Sequence, residues 1–296
     1  MRICLMIEGQ EGQTWNEWLA LAAACEEHGL EGLFRSDHYG SLLAPGRASL
    51  DAWATLAGLA ARTTRIRLGT LVSPATFRHP SVLAKNAVTV DHISGGRVEV
   101  GLGAGWNEEE HRRHGFEFPP LGVRVERFAE QLEIVYRSFT EDEFDFRGRH
   151  YTLEGCRALP TPLQRHIVVG GGGKRGTLEP ARRFADEYNT PFVGPARAAE
   201  IKALWPKTLS VMTGCILGSD RAELLDRVRG VMAGMQREGE PEAFVEESRD
   251  TWVIGTLDEA RARIAEYEAA GVERMMLQHL DHADLGAVAL MGSLQA

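Results

Sequence analysis

The sequence has few cysteines, no long apolar run and no surplus of basic residues, and each shortage removes a class of function. Its four cysteines, Cys4, Cys25, Cys156 and Cys215, stand far apart. With no paired or Cys/His spacing, they are expected as buried free thiols rather than a disulfide framework, a zinc site or a redox motif. No apolar stretch approaches the ~20 residues of a membrane helix, and the N-terminus enters a strand without the pattern of a secretory signal. Lys and Arg number 33 against 42 Asp and Glu, a net charge of −9 with a pI near 5.6. An acidic chain without a basic stripe has nothing to hold nucleic acid or an anionic membrane. The expectation is a cytoplasmic protein whose partner is a small molecule, with neither nucleic acid nor membrane.

What is present is a strand-helix rhythm, in a chain whose 44% hydrophobic and 25% charged residues can bury a full core. Its organising stretch is 65–107. An apolar β-type run, 66–72, stops at Ser73-Pro74, a helical pattern covers 81–91, and Gly95-Gly96 turns the chain into a second strand, 97–101. That strand runs into Gly101, Gly103 and Gly105. The two strand ends predict the floor of an active site, where a Ser-Pro turn and a glycine run let a backbone approach a flat ring or a phosphate.

Further strands are expected over 2–7, 31–35, 166–169, 185–189, 209–214 and 273–278, mostly separated by amphipathic helices. Residues 141–164 break the rhythm: FDFRGRHYTL reads as a hairpin and Pro160 and Pro162 keep the chain extended, so an insertion at about 141–165 is expected over one barrel mouth. About eight strands predict one (β/α)8 TIM barrel, class α/β, over 1–296, close to the usual ~250 residues plus insertions. An open doubly wound sheet is the alternative.

Chemistry in such a barrel gathers where strands end. Asp37 and His38 follow the second strand; an adjacent carboxylate and imidazole can bind and protonate a substrate or cofactor edge, or serve only as a capping pair. GLGAG, 101–105, lacks the GxGxxG spacing and a following acidic residue, which weakens a dinucleotide reading against close helix-strand packing. Gly170 to Gly173 with Lys174 and Arg175 is the best anion signal, since glycines before a helix free backbone N–H groups beside two cations. Glu108, His111 and His114 share helical spacing but read as a solvated face, so no metal site is expected. No nucleophile elbow is present.

The runs MIEGQEG, FRSDHY, LGTLVSPATFRHPSVLAKNAVTVDHISGGRVEVGLGAGWNEEEH, GRHYTL and VVGGGGKRGTLEPARRFADEYN together resemble the luciferase-like monooxygenase superfamily. Within it they look closest to the oxidoreductases dependent on the deazaflavin coenzyme F420. The resemblance implies a bacterial-luciferase-like barrel with an isoalloxazine-like ring across the strand ends, and a homodimer formed through barrel-side helices. It implies a non-prolyl cis peptide at Leu71-Val72 backing the ring and Asp37 and His38 as the catalytic pair beside it. Ala104, Gly105 and Trp106 would line its other side, and Gly171, Gly172, Gly173, Lys174 and Arg175 would hold its phosphate. FMN-using relatives commonly carry a Glu-His-type pair and lack Gly-Trp-Asn, so Asp37-His38 and Gly105-Trp106-Asn107 favour coenzyme F420. The implied reaction is hydride transfer to or from a small, mostly apolar organic substrate. An FMN-dependent monooxygenase is the alternative, and a non-catalytic flavin-binding protein the second.

Overall fold

Strand β1 (Arg2–Ile7) shows the alternation on which the architecture rests. Ile3, Leu5 and Ile7 face outward into the main core, while Cys4 and Met6 point inward with Phe34, Leu71, Val168 and Met276. The computed structural model describes residues 1–44 and 46–295. After β1 come α1 (Trp15–Glu27), β2 (Gly32–Arg35), α2 (Ala52–Ala60), β3 (Arg67–Thr70), its continuation β4 (Ser73–Pro74), α3 (Pro80–Ser94) and β5 (Val98–Gly103). A short α4 (Glu108–His114) and a long α5 (Leu121–Thr140) lead to the hairpin β6 (Phe144–Arg147) and β7 (Thr152–Cys156). Then follow β8 (Ile167–Gly170), α6 (Arg175–Phe184), β9 (Glu187–Pro191), α7 (Pro195–Leu204) and β10 (Thr208–Gly218). The chain finishes with α8 (Arg221–Gly234), α9 (Pro241–Ser248), β11 (Val253–Thr256), α10 (Leu257–Ala269), β12 (Arg274–Gln278) and α11 (Leu285–Gly292).

All barrel pairings are parallel, in the order β1, β2, β3 with β4, β5, β8, β9, β10, β12 and back to β1, which closes an eight-stranded (β/α)8 barrel. The open sheet is thereby excluded. Local signals stop and start the helices: Thr14 and Glu17 form a capping box on α1, Asp51 caps α2, and Gly95 ends α3 at φ 72°. The expected strand 66–72 is interrupted by a cis Leu71-Val72 peptide and resumes as β4. The apolar run 252–255 yields β11, which among the described residues pairs only with the far half of β10, beyond the barrel wall.

The hairpin does not cover the mouth. Phe144 and Phe146 alternate onto Ile134, and the backbone N–H groups of Arg149, His150 and Tyr151 donate to Glu130 of α5, so the hairpin lies along the helix layer. Leu42, Leu43, residues 104–107 with Glu110 and His111, Met235 and Trp252 line the cavity at the C-terminal mouth instead. Cys4, Cys25 and Cys215 are buried and Cys156 is half-buried, all as free thiols.

The opposite end of the barrel is ionic. Arg274 reaches Glu99 at 2.6 Å, Glu31 at 2.7 Å and Glu187 at 3.1 Å, with His166 on Glu187 at 3.1 Å and Arg67 on Glu99. Burial is the largest influence and raises the Glu99 and Glu187 carboxyls, but Arg274 and His166 together, with Arg67 on Glu99, outweigh it and hold both below the carboxylate range. Glu99, His166 and Glu187 bring ligand-type atoms within 4.8 Å, yet Arg274 already stands between the carboxylates. No helix among the described residues is long and apolar enough to cross a membrane.

Candidate active site

The C-terminal strand ends enclose a cavity of about 680 Å³. Its floor is Leu71, Val72 and Pro74, from the break between β3 and β4. The Val72 side chain projects between β5 and β8, where a Cβ on Gly103 or Gly170 would come within 2.6 or 2.9 Å of it. A Cβ on Gly105 would meet Thr76 at 2.7 Å. The glycine run expected to admit a ring therefore first admits Val72, which itself becomes the surface offered to a ligand.

The strand end after β2 splits its two candidate residues. Asp37 is buried, with Arg78 Nη1 and Ser73 Oγ both 2.5 Å from Oδ2 and Arg78 Nη2 3.1 Å from Oδ1. It ties β2 to β4 and to the segment before α3, and it does not line the cavity. His38 does line it, edge-on to Trp106 with ring centroids 5.7 Å apart. Its Nδ1 lies 2.7 Å from Glu110 Oε2 on α4, leaving Nε2 without a partner among the described residues. Burial lowers the imidazole pKa, but the hydrogen bond and charge of Glu110, with the charges of Glu8 and Asp37, outweigh it and raise the value. Burial likewise raises the Glu110 carboxyl, and His38 with the Tyr39 and Gly40 amides brings it below its ordinary range. The contact thus favours the imidazolium and the carboxylate over their neutral forms.

Ala104, Gly105 and Trp106 form the wall after β5, and Gly170, Gly171 and Thr177 the corner after β8. Gly171 N–H donates to Asn189 O at 2.9 Å and Gly173 N–H to Tyr188 Oη at 3.0 Å, which fixes the glycine turn. A Cβ on Gly172 would meet nothing within 4 Å. Gly172, Gly173, Lys174 and Arg175 do not line the cavity; they open α6 at its rim. Neither cationic side chain has an ion-pair partner among the described residues. Beyond Thr177, the rim is a helix N-terminus with two unpaired cations, the donor set an anionic tail requires.

Sequence reasoning missed Glu110, Arg78 and the polar group Glu8, Gln10 and Gln278. Glu110 was legible in part: Asn107, Glu110, His111 and His114 share one helical face, so the last acid of the run 108–110 turns inward while Glu109 pairs outward with Arg112 and Arg113. His111 spends Nδ1 on Asn107 O and Nε2 on Thr76 Oγ1, at 2.6 and 2.7 Å, and has no nitrogen left for a metal.

The family model described as luciferase-like monooxygenase matches residues 2–274, nearly the whole barrel. The chain belongs to this family. Within the luciferase-like family it is 38% identical over 144 residues to protein Rv0953c of Mycobacterium tuberculosis, covering 48% of this chain and 50% of that one. It is 32% identical over 154 residues to the F420-dependent glucose-6-phosphate dehydrogenase of Amycolatopsis mediterranei, covering 51% and 46%. The matches span about half the length of these curated relatives. The monooxygenase RslO1 from Streptomyces bottropensis superposes at a TM-score of 0.83 with 23% identity, over 99% of this chain and 97% of that one, a likeness of fold alone. For a luciferase-like protein the site is suited to a ring cofactor: an apolar floor, an imidazole at the wall and an anion-accepting corner at the rim.

Proposed function

We propose that this luciferase-like chain is a coenzyme F420-dependent oxidoreductase moving a hydride to or from a small, mostly apolar organic substrate. The observation that carries the reading is His38, hydrogen-bonded to Glu110, which raises its pKa, on the wall of an otherwise largely apolar cavity. The relative named for F420 dependence supports the same choice of cofactor. When bound, a deazaflavin supplies two-electron hydride chemistry at C5 of its ring. The chain supplies the rest. Leu71 and Val72 back the ring, with Ala104, Gly105 and Trp106 along its other side. Gly171 and Gly173, whose amides are held by Asn189 and Tyr188, shape the turn, and the Gly172 amide with the charges of Lys174 and Arg175 grips its phosphate. His38 holds a proton at Nε2 for the ring edge or the substrate, and Asp37 acts at one remove by locking Arg78 and Ser73. We propose further that the protein works as a homodimer in the cytoplasm.

The test is parallel titration of the purified apo-protein with coenzyme F420 and FMN, read by fluorescence quenching and by retention on gel filtration. Retention of the deazaflavin alone, weakened by Arg175→Glu at low salt, is expected. Retention of FMN with oxygen consumed alongside substrate would replace this reading with a flavin monooxygenase. Retention of neither would remove the ring cofactor altogether.

A further inference from the structure

We infer that the cavity selects a substrate bearing a protonated nitrogen, received by the carboxylate of Glu8 just past the end of β1. Only the word substrate rests on the oxidoreductase reading; the binding argument stands on the cavity itself.

Three carboxylates line the cavity, Glu8, Glu11 and Glu110. Glu110 is matched by His38, and Glu11 by Arg47 at 2.9 Å together with Ser41 and the Leu42 N–H. Glu8 has no Lys, Arg or His nitrogen within 4.0 Å among the described residues. Its oxygens accept instead from two neutral amides, Gln278 Nε2 at 2.6 Å and Gln10 Nε2 at 2.8 Å. Gln10 cannot turn away, because Gly9 N–H donates to Ser36 Oγ, whose hydroxyl donates to Gln10 Oε1 at 2.5 Å. The carboxylate is thereby aimed, with lone pairs to spare and no cation in contact, His38 and Arg35 acting on it only through space.

The surroundings set what can compensate it. With two of the three acids in contact with partners, Glu8 is the lining carboxylate left without an ion pair among the described residues. An anion is repelled, and a neutral hydroxyl accepts the geometry without offsetting the charge; a protonated amine does both. Around the mouth from Gln278, the segments after β9 and β10 bring Phe192 and Trp252 together, ring centroids 6.4 Å apart. Aromatic faces favour a cation and its apolar substituents. Glu8, Gln278, Phe192 and Trp252 occupy the β1, β12, β10 and β9 side of the mouth, whereas His38, Val72 and Gly171 occupy the β2 to β8 side proposed for the ring. A nitrogen site and a ring site thus fit in one cavity without sharing residues.

The experiment measures binding of benzylammonium, benzyl alcohol and benzoate to the purified protein by calorimetry near neutral pH, with and without added deazaflavin. Benzylammonium is expected to bind about tenfold more tightly than the alcohol at low salt, and benzoate not at all. Glu8→Gln should erase that gap, and Glu8→Asp, which keeps the charge, should preserve most of it. Absent benzylammonium binding, equal binding of amine and alcohol, or a gap that survives Glu8→Gln overturns the inference. A Glu8-dependent amine preference in a protein that retains no deazaflavin upholds the site and removes the oxidoreductase reading. Deazaflavin retention without an amine preference does the reverse.

Discussion

Glu110→Gln should convert His38 from a charged donor into a neutral one. Glu110 uses its two oxygens separately: Oε1 accepts from the Tyr39 and Gly40 amides, and Oε2 faces His38 Nδ1. A glutamine that keeps its single oxygen on the two amides must present its NH2 to Nδ1, which then has to be an unprotonated acceptor. A hydrogen bond to a charged group is worth about 1.5–3 kcal/mol, and His38 escapes the larger penalty of an unpaired buried charge by shedding its proton. The loss expected is therefore about 2 kcal/mol in mildly acidic buffer. Its pH dependence follows from the two shifts. The His38 pKa is raised above 6.5, so its contribution is full below that value and fades as pH rises through the folded pKa. Glu110 is lowered from 4.5, so its contribution is full above that value and is lost as pH falls through the folded pKa. Urea unfolding near pH 6 and near pH 9, with the His38 ring protons followed by NMR, reads both. A wild-type His38 titrating below 6.5, or a deficit in the variant that is the same at both pH values, would refute the reasoning.

Gly103→Ala should cost about 1–3 kcal/mol, since the added Cβ would lie 2.6 Å from Val72 Cγ2. Val72→Ala should recover part of that loss in the double variant, and strictly additive urea-unfolding energies would count against the contact. Arg274→Met should cost about 3–5 kcal/mol at neutral pH by leaving Glu99 and Glu187 buried without their shared cation. Both carboxyls are held below their ordinary range, so their stabilising contribution is full above that range and is lost as pH falls through the folded values. The deficit of Arg274→Met should therefore narrow in acid, and a loss under about 1 kcal/mol at neutral pH would argue against the ionic floor.

The barrel was legible because strand-helix alternation and capping residues act within a few positions of one another: Thr14 with Glu17, Asp51 before α2, Gly95 after α3. The ends of β2, β3, β5 and β8 were legible as site material because glycine, proline and short polar residues gather there. Less legible was the division of labour among them. Asp37 and His38 are adjacent, yet one turns to Arg78, 41 positions away, and the other to Glu110, 72 positions away. The 141–165 insertion showed its hairpin in its own alternation, but its destination depended on Phe144 and Phe146 finding Ile134.

By itself the amino-acid order determined periodicity, caps, turns and the acidic balance, all of which arise from contacts between near neighbours and from composition. Only closure of the barrel decided which of the three carboxylates lining the cavity acquired cations, Glu11 and Glu110, and which, Glu8, did not. Only closure put Val72 into the space of Gly103 and Gly170. Charge pairing and steric fit depend on separation in space, and the barrel makes neighbours of strand ends that lie scores of residues apart along the chain.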